Sequence, residues 1–222
     1  MLSSLRSKNS KRRIGRLTAV AAAVGIAMTT VIVAPASADD VVPIPVSYKV
    51  TGSTTVAKTG SAMTLGPGAL NGNLLINNDT GAVGLSADLT LPPATANISL
   101  VSGIFKIKAT VTITPTAPIT GSIANGDLNT HATATMAISD IWVGPLVPII
   151  PLPTVPGACK TVTPIDLNLT AKNVDIFAPS FRVTGTYTIP SFNNCFIADI
   201  ALGALVSGSG NTIALDLASN NS

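Results

Sequence analysis

The sequence predicts an all-β protein: an antiparallel β-sandwich or barrel of about ten strands with one short C-terminal helix. Three observations carry that reading. Apolar and polar residues alternate strictly through long runs, which sorts the side chains onto the two faces of strands. Gly, Pro and Asn fall between those runs, where turns need them. There is no Glu and no Gln, so all ten acids are Asp. Glu and Gln favour helices and Asp does not, so a helix-rich fold is excluded.

The first 38 residues read as an address label. Six of the thirteen cations (Arg6, Lys8, Lys11, Arg12, Arg13 and Arg16) precede an apolar stretch from Leu17 to Val33. Ala36-Ser37-Ala38 then forms a small-x-small site, with Ala36 and Ala38 as its small residues. A basic start, an apolar middle and this ending define a secretory signal peptide cleaved after Ala38. The apolar run, at about 17 residues, is at the lower limit for a membrane span. Export places the protein outside the cell or in its envelope, as a single β-domain over residues 39–222. The formal charge of +3 is therefore misleading. Beyond residue 38, seven cations face ten acids, a net −3. Basic residues are too few and too scattered for nucleic acid.

The strands follow in order. Weaker alternation marks 46–57, 61–65 and 70–77. In 82–91, Val83, Leu85, Ala87, Leu89 and Leu91 share a face opposite Gly84, Ser86, Asp88 and Thr90. A weak strand at 94–101 precedes 105–114. There Phe105, Ile107, Ala109, Val111 and Ile113 oppose Lys106, Lys108 and three threonines. After 118–124, the run 128–139 sets Leu128, Ala132, Ala134, Met136 and Ile138 against Asn129, His131, Thr133 and Thr135. The last sets are 165–170, 181–189 (Phe181, Val183, Tyr187, Ile189) and 213–217. One dry face and one wet face are the mark of antiparallel sheets. Asn78-Asp79-Thr80-Gly81 and Asn125-Gly126-Asp127 read as hairpin turns. Gly66-Pro67-Gly68 and Leu91-Pro92-Pro93 are expected to break strands.

Two segments depart from alternation. Cys195 to Val206 carries Phe196, Ile197, Ile200, Ala201, Ala204 and Leu205 at helical spacing. Asn193 or Asn194 would cap this helix and Gly208 would end it. With Asp199 its one charge, it should be mostly buried as a lid. The stretch Val143 to Gly157 holds five prolines and no charge, which forbids a helix or a central strand. Its apolar residues Leu146, Val147, Ile149, Ile150, Leu152 and Val155 either pack over the core or expose a patch to an envelope lipid or a protein partner.

Cys159 and Cys195 are the two cysteines of the chain. In an oxidising compartment the simplest state for them is one disulfide. It closes a loop of about 37 residues, a stabilisation of roughly 3–4 kcal/mol in the chain-entropy estimate.

Catalytic chemistry is hard to assemble from this inventory. A Ser-His-Asp triad would have to use His131, the one histidine, and that residue sits on the wet face of its strand. No nucleophile elbow, phosphate loop or zinc ligand set is present in the sequence. General acid–base work would fall to scattered Asp residues. The expectation is a protein that is not an enzyme and uses no metal or other cofactor.

Several short motifs occur in a fixed order: Val50-Thr51-Gly52-Ser53, Leu65-Gly66-Pro67-Gly68, Gly185-Thr186-Tyr187-Thr188-Ile189-Pro190-Ser191-Phe192, Cys195 and Gly210-Asn211-Thr212. In these the chain resembles a family of small secreted actinobacterial proteins, over nearly the whole length after residue 38. The resemblance implies secretion and brings no catalytic residue and no ligand. Three functions remain in view. The first is a secreted or envelope-associated, non-enzymatic β-protein with a structural or binding role. The second is a carrier of an apolar, lipid-like ligand in a β-cup, for which Ala and Gly on the dry faces would leave room. The third is a membrane β-barrel or pore subunit.

Overall fold

A computed structural model describes residues 40–100, 103–153, 157–175, 178–196 and 198–220. The signal-peptide reading, with Ala36 and Ala38, lies outside these residues, as does Val155. The strands are β1 (Val41–Val56), β2 (Ser61–Asn77), β3 (Val83–Thr90), β4 (Ala94–Leu100), β5 (Phe105–Pro115), β6 (Ile119–Ala124), β7 (Asp127–Pro145), β8 (Ile150–Pro151), β9 (Lys160–Thr161), β10 (Ile165–Ala171), β11 (Ser180–Ile189), β12 (Phe192–Asn193) and β13 (Gly208–Ser219). One helix, α1 (Ala198–Leu205), lies between β12 and β13.

All the strand pairings are antiparallel, in the order β10-β11-β13-β1-β2-β3-β6-β7-β5-β4. A further pairing joins β10 to β7 from Ile165↔Ala134 to Ala171↔Leu128. Eight strands therefore return on themselves, and the sheet closes into a barrel. Closure removes the open edges that a flat sheet would present. The apolar faces turn inward: Val50, Leu65, Leu70, Leu85, Leu128, Ile165, Val183, Leu215 and their neighbours are buried in one cluster. Thr, Ser, Lys and Asp fill the outer faces, as the alternation predicts. This is the reverse of a membrane barrel, which is apolar outside and polar within.

Of the two expected strand breaks, one differs from the sequence reading. Leu91-Pro92-Pro93 does separate β3 from β4, but Gly66-Pro67-Gly68 does not break β2. Val50 pairs with Gly68 and Gly52 with Leu65, so Thr51 alone faces Gly66 and Pro67. This bulge frees Pro67 from the ladder, where its missing N–H would count. Gly66 has φ +86°, and a Cβ there would lie 2.4 Å from the Val50 carbonyl oxygen.

The other half of the barrel is built differently. Beyond Ala134, β7 leaves β10 and pairs with β5. On its other side only short pieces follow: the β9 contact Ala137↔Lys160 and the β8 contacts Trp142↔Pro151 and Val143↔Ile150. The Ile138 N–H donates to the Cys159 carbonyl at 2.9 Å, and the Met136 N–H to the Thr161 hydroxyl at 3.3 Å. The Cys159–Cys195 disulfide, fully buried, ties this patchwork to the segment leading into α1.

Candidate functional site

The barrel interior is the candidate site. It contains two apolar chambers. The lower one lies inside the closed ring and is lined by residues such as Leu70, Leu85, Ala132, Ile165, Leu169 and Leu215. The upper one lies beneath α1 and is lined by Ala96, Ile98, Ala109, Ile138, Leu152 and Leu202 among others. The space between atoms is about 880 Å³ in the lower chamber and about 840 Å³ in the upper, mouths included. The centre of a water-sized sphere can occupy about 70 Å³ and 80 Å³ of these. Drug-sized ligand sites run to roughly 300 Å³ or more. A closed apolar void of about 150 Å³ holds one benzene. Each chamber as it stands is about half that size, so a ring-sized apolar guest fits where lining side chains shift or the two chambers join, and a whole lipid does not.

Alanine creates this room. Ala132, Ala134 and Ala109 are buried on inward faces where Leu or Ile would fill the lumen. An eight-stranded barrel is just wide enough to be filled by its side chains or to hold one small ligand, so small residues tip the balance toward space.

Thr54, Met136 and Tyr187 border both chambers and form the waist between them. The Thr54 hydroxyl donates to the Thr212 carbonyl at 2.8 Å. Its oxygen lies 2.6 Å from the Tyr187 hydroxyl, which is therefore the donor in that pair. The Tyr187 oxygen keeps lone pairs that can accept a hydrogen bond from a guest. Burial pushes the Tyr187 pKa up, with the Thr54 hydrogen bond pulling the other way, so the phenol stays neutral and protonated. Asn211, also buried, holds this corner. Its amide donates to the Tyr187 and Gly208 carbonyls at 3.2 Å and 2.7 Å, and its oxygen accepts the Ala57 N–H at 3.0 Å. The Gly210-Asn211-Thr212 motif is thus a staple across β1, β11 and β13.

The upper chamber is roofed by α1. The helix is shorter than the sequence reading and differs from it in two ways. It is not mostly buried: Ala198 alone among its residues is, while Ile200 is 83% exposed. Leu202 and Leu205 face the chamber and the opposite face meets solvent, because an eight-residue helix laid over an open end has only one side to bury. Nor does an asparagine side chain supply the stated cap contact. The Asp199 carboxylate in the first turn instead reaches back beyond the helix start to accept the Cys195 N–H at 3.1 Å.

The proline-rich segment also divides. It folds back as a hairpin, with β8 against the end of β7 and Leu146 at φ +60°. Leu152 turns inward to the upper chamber. Leu146, Val147, Ile149 and Ile150 remain exposed, Leu146 at 72%. Sequence reasoning missed Ile104 and Trp142, which are exposed beside this hairpin, and it expected burial for Phe196 and Ile200, which are exposed as well. It also missed Thr54, a polar residue in phase with Tyr48 and Val50.

His131 lies on the outer surface, where its Nε2 is 3.0 Å from Asp166 and both side chains are more than half exposed. It lines a shallow outer groove with Thr120, Ser122, Asn129 and Asn168, far from the apolar lumen. No group of three His, Cys, Asp or Glu side chains among the described residues is placed to hold a metal ion. No helix among them is long and apolar enough to cross a membrane. No family model, curated protein or solved structure matches the chain.

Proposed function

We propose that the protein is an exported, non-enzymatic binding barrel whose lumen takes a small apolar ligand carrying at most one hydroxyl. The observation that supports this best is the pair of apolar chambers meeting at one hydroxyl pair, with no charge on their walls. Burying a charged ligand there would be costly, since nothing in the lumen pairs it. A ring or a short alkyl segment gains by leaving water. The Tyr187 oxygen accepts the hydroxyl of a guest without giving up its own bond to Thr54. Met136 at the waist is unbranched and adaptable, so the two chambers can join around a longer guest. A buried disulfide accords with an oxidising compartment.

The test is titration of the disulfide-intact protein with benzene, cyclohexanol and decanoate, followed by methyl-region NMR. Saturable shifts at Met136, Ile138 and Ile165, with cyclohexanol tighter than benzene, are expected. Ala109→Leu and Ala132→Leu should each suppress the shifts in its own chamber. No shift with any of the three up to their solubility limits would overturn the reading. Export is checked separately: the protein recovered from its host should begin at Asp39 by N-terminal sequencing, and an intact N-terminus would refute cleavage.

A further inference from the structure

Beyond the lumen, the outside of the barrel exposes large apolar side chains at both ends: Val41, Val42 and Ile44 at the start of β1, and a larger set at the α1 end. At the α1 end, Ile104, Trp142, Leu146, Val147, Ile149 and Ile150 are exposed together. They are contiguous by hydrogen bonding: the Leu146 N–H donates to the Ile104 carbonyl at 2.7 Å, and Trp142 and Val143 pair with Pro151 and Ile150. Phe196, just before α1, and Ile200, within it, expose further apolar surface beside the helix that roofs the upper chamber. Large contiguous apolar patches on a water-facing protein mark interaction sites.

The charges around this end are arranged to match. Lys106 and Lys108 stand on β5 opposite Gly144 and Trp142. Lys160 lies beside Ala137 and Asn193. Lys58 donates to the Gly203 carbonyl of α1 at 3.2 Å. Against these four cations stand Asp140 and Asp199, a local excess of two positive charges. The turn end is the reverse. Asp40, Asp79, Asp127 and Asp175 gather there with Lys172, an excess of three negative charges.

We infer that the α1 end docks on an anionic lipid bilayer, with the 146–150 hairpin inserted to the acyl boundary, Trp142 at the headgroup level and the four lysines on the lipid phosphates. Tryptophan is favoured at that depth because one edge of its ring is polar and the rest apolar. Basic residues at the surface add attraction to anionic lipid, and insertion of apolar side chains supplies the salt-resistant part. The orientation holds the acidic turn end away from the membrane and brings the mouth of the upper chamber to it. This inference does not depend on the lumen reading: a barrel that binds vesicles and no small molecule keeps the one and loses the other.

Trp142 is the sole tryptophan, so its fluorescence reports directly on the patch. The full disulfide-bonded protein is mixed with vesicles of phosphatidylglycerol and phosphatidylcholine, or of phosphatidylcholine alone. A blue shift, quenching by lipids brominated on the acyl chain and co-sedimentation with the anionic vesicles are expected. Lys106→Ala with Lys108→Ala should weaken that binding several-fold and reduce its salt dependence. Leu146→Asp with Ile149→Asp should weaken it more than tenfold at any salt. Lys108, Leu146 and Ile149 are exposed and Lys106 is half-buried, and unchanged near-ultraviolet circular dichroism shows that the fold is kept. Val42→Asp, at the turn end, should have no effect. Absence of any shift or co-sedimentation overturns the inference. So does a blue shift that appears without lipid and tracks dimer formation in sedimentation velocity, which would assign the patch to a second copy of the chain.

Discussion

The two halves of the barrel reach the same result, a dry lumen, by different means. Around the lower chamber eight strands hydrogen-bond in an unbroken ring. Around the upper chamber β7 continues, but its far side is covered by the two-residue strands β8 and β9, a helix and one disulfide. Outside, the lower half ends in hydrogen-bonded turns and acidic side chains with Val41, Val42 and Ile44 beside them, and the upper half in a larger set of exposed apolar side chains. A continuous ladder gives cooperative protection, whereas a covering of short pieces opens locally at lower cost. A ligand is therefore expected to pass through the upper half.

This contrast can be broken by experiment. The largest effect should come from Leu65→Ala in urea unfolding. Leu65 is 1% exposed and borders neither chamber, so the cavity it leaves is new, and the loss should reach up to about 5 kcal/mol. Leu205→Ala, at the edge of an existing chamber, should cost distinctly less; equal losses would mean that the two halves are equally well packed.

Next comes Cys195→Ser, expected to cost about 3–4 kcal/mol. Hydrogen exchange should place the loosening in 159–161 and 192–206 and leave the β1–β2–β3 ladder protected. Uniform loosening would show that the patchwork is integral to the ring. A smaller step is Tyr187→Phe, which removes one hydrogen bond at the waist and should cost about 0.5–1.5 kcal/mol. Cyclohexanol should lose its advantage over benzene in this variant, and an unchanged preference would remove Tyr187 from the site.

The smallest effect is acidic. The Lys172 hydrogen bond holds the Asp127 carboxyl below its ordinary value of 3.8, and the Arg182 hydrogen bond does the same for Asp216. Groups with lowered folded pKa values stabilise the fold above that ordinary value and lose their contribution as pH falls through the folded values. Both ion pairs are exposed, so the loss should be slight. It should begin only below about pH 4, and it should loosen the turn half first. Hydrogen exchange at pH 5 and pH 3 would show this, and earlier loosening of the α1 end would contradict it.

Much of the lower half was legible in the sequence, because a single rule governs it. Alternation put Leu85, Ala87, Leu128, Ala132, Val183 and Leu215 on inward faces. Asn78–Gly81 and Asn125-Gly126 were read correctly as turns from local chemistry. The disulfide followed from a count of two. The upper half was harder for physical reasons. Whether Pro67 ends a strand depends on a bulge opposite Thr51, which is a property of the partner strand. Whether Ile200 is buried depends on what covers α1, and nothing local encodes that. Leu152 and Leu146 lie six residues apart in one apolar run, yet one faces the lumen and the other the solvent. The closing contact between β10 and β7 is equally non-local. The waist was hidden because Thr54 breaks the rule that inward positions are apolar, and only its neighbours Tyr187 and Thr212 explain why.

The pairing of β1 with β13 has a temporal consequence. Tyr48 lies opposite Ser219 and Thr55 opposite Thr212, so one of the first strands completes its ladder only against the last. The ring cannot shut while the end of the chain is missing, whatever has already formed between β2 and β11. Such distant partners make folding slow, on the millisecond-to-second scale typical of sheet proteins. Stopped-flow refolding of the disulfide-intact chain, followed through Trp142, should therefore show its main amplitude there. A microsecond phase carrying the full signal would contradict this. Until that step the chain is an open ribbon, and closure is the event that gives it an inside.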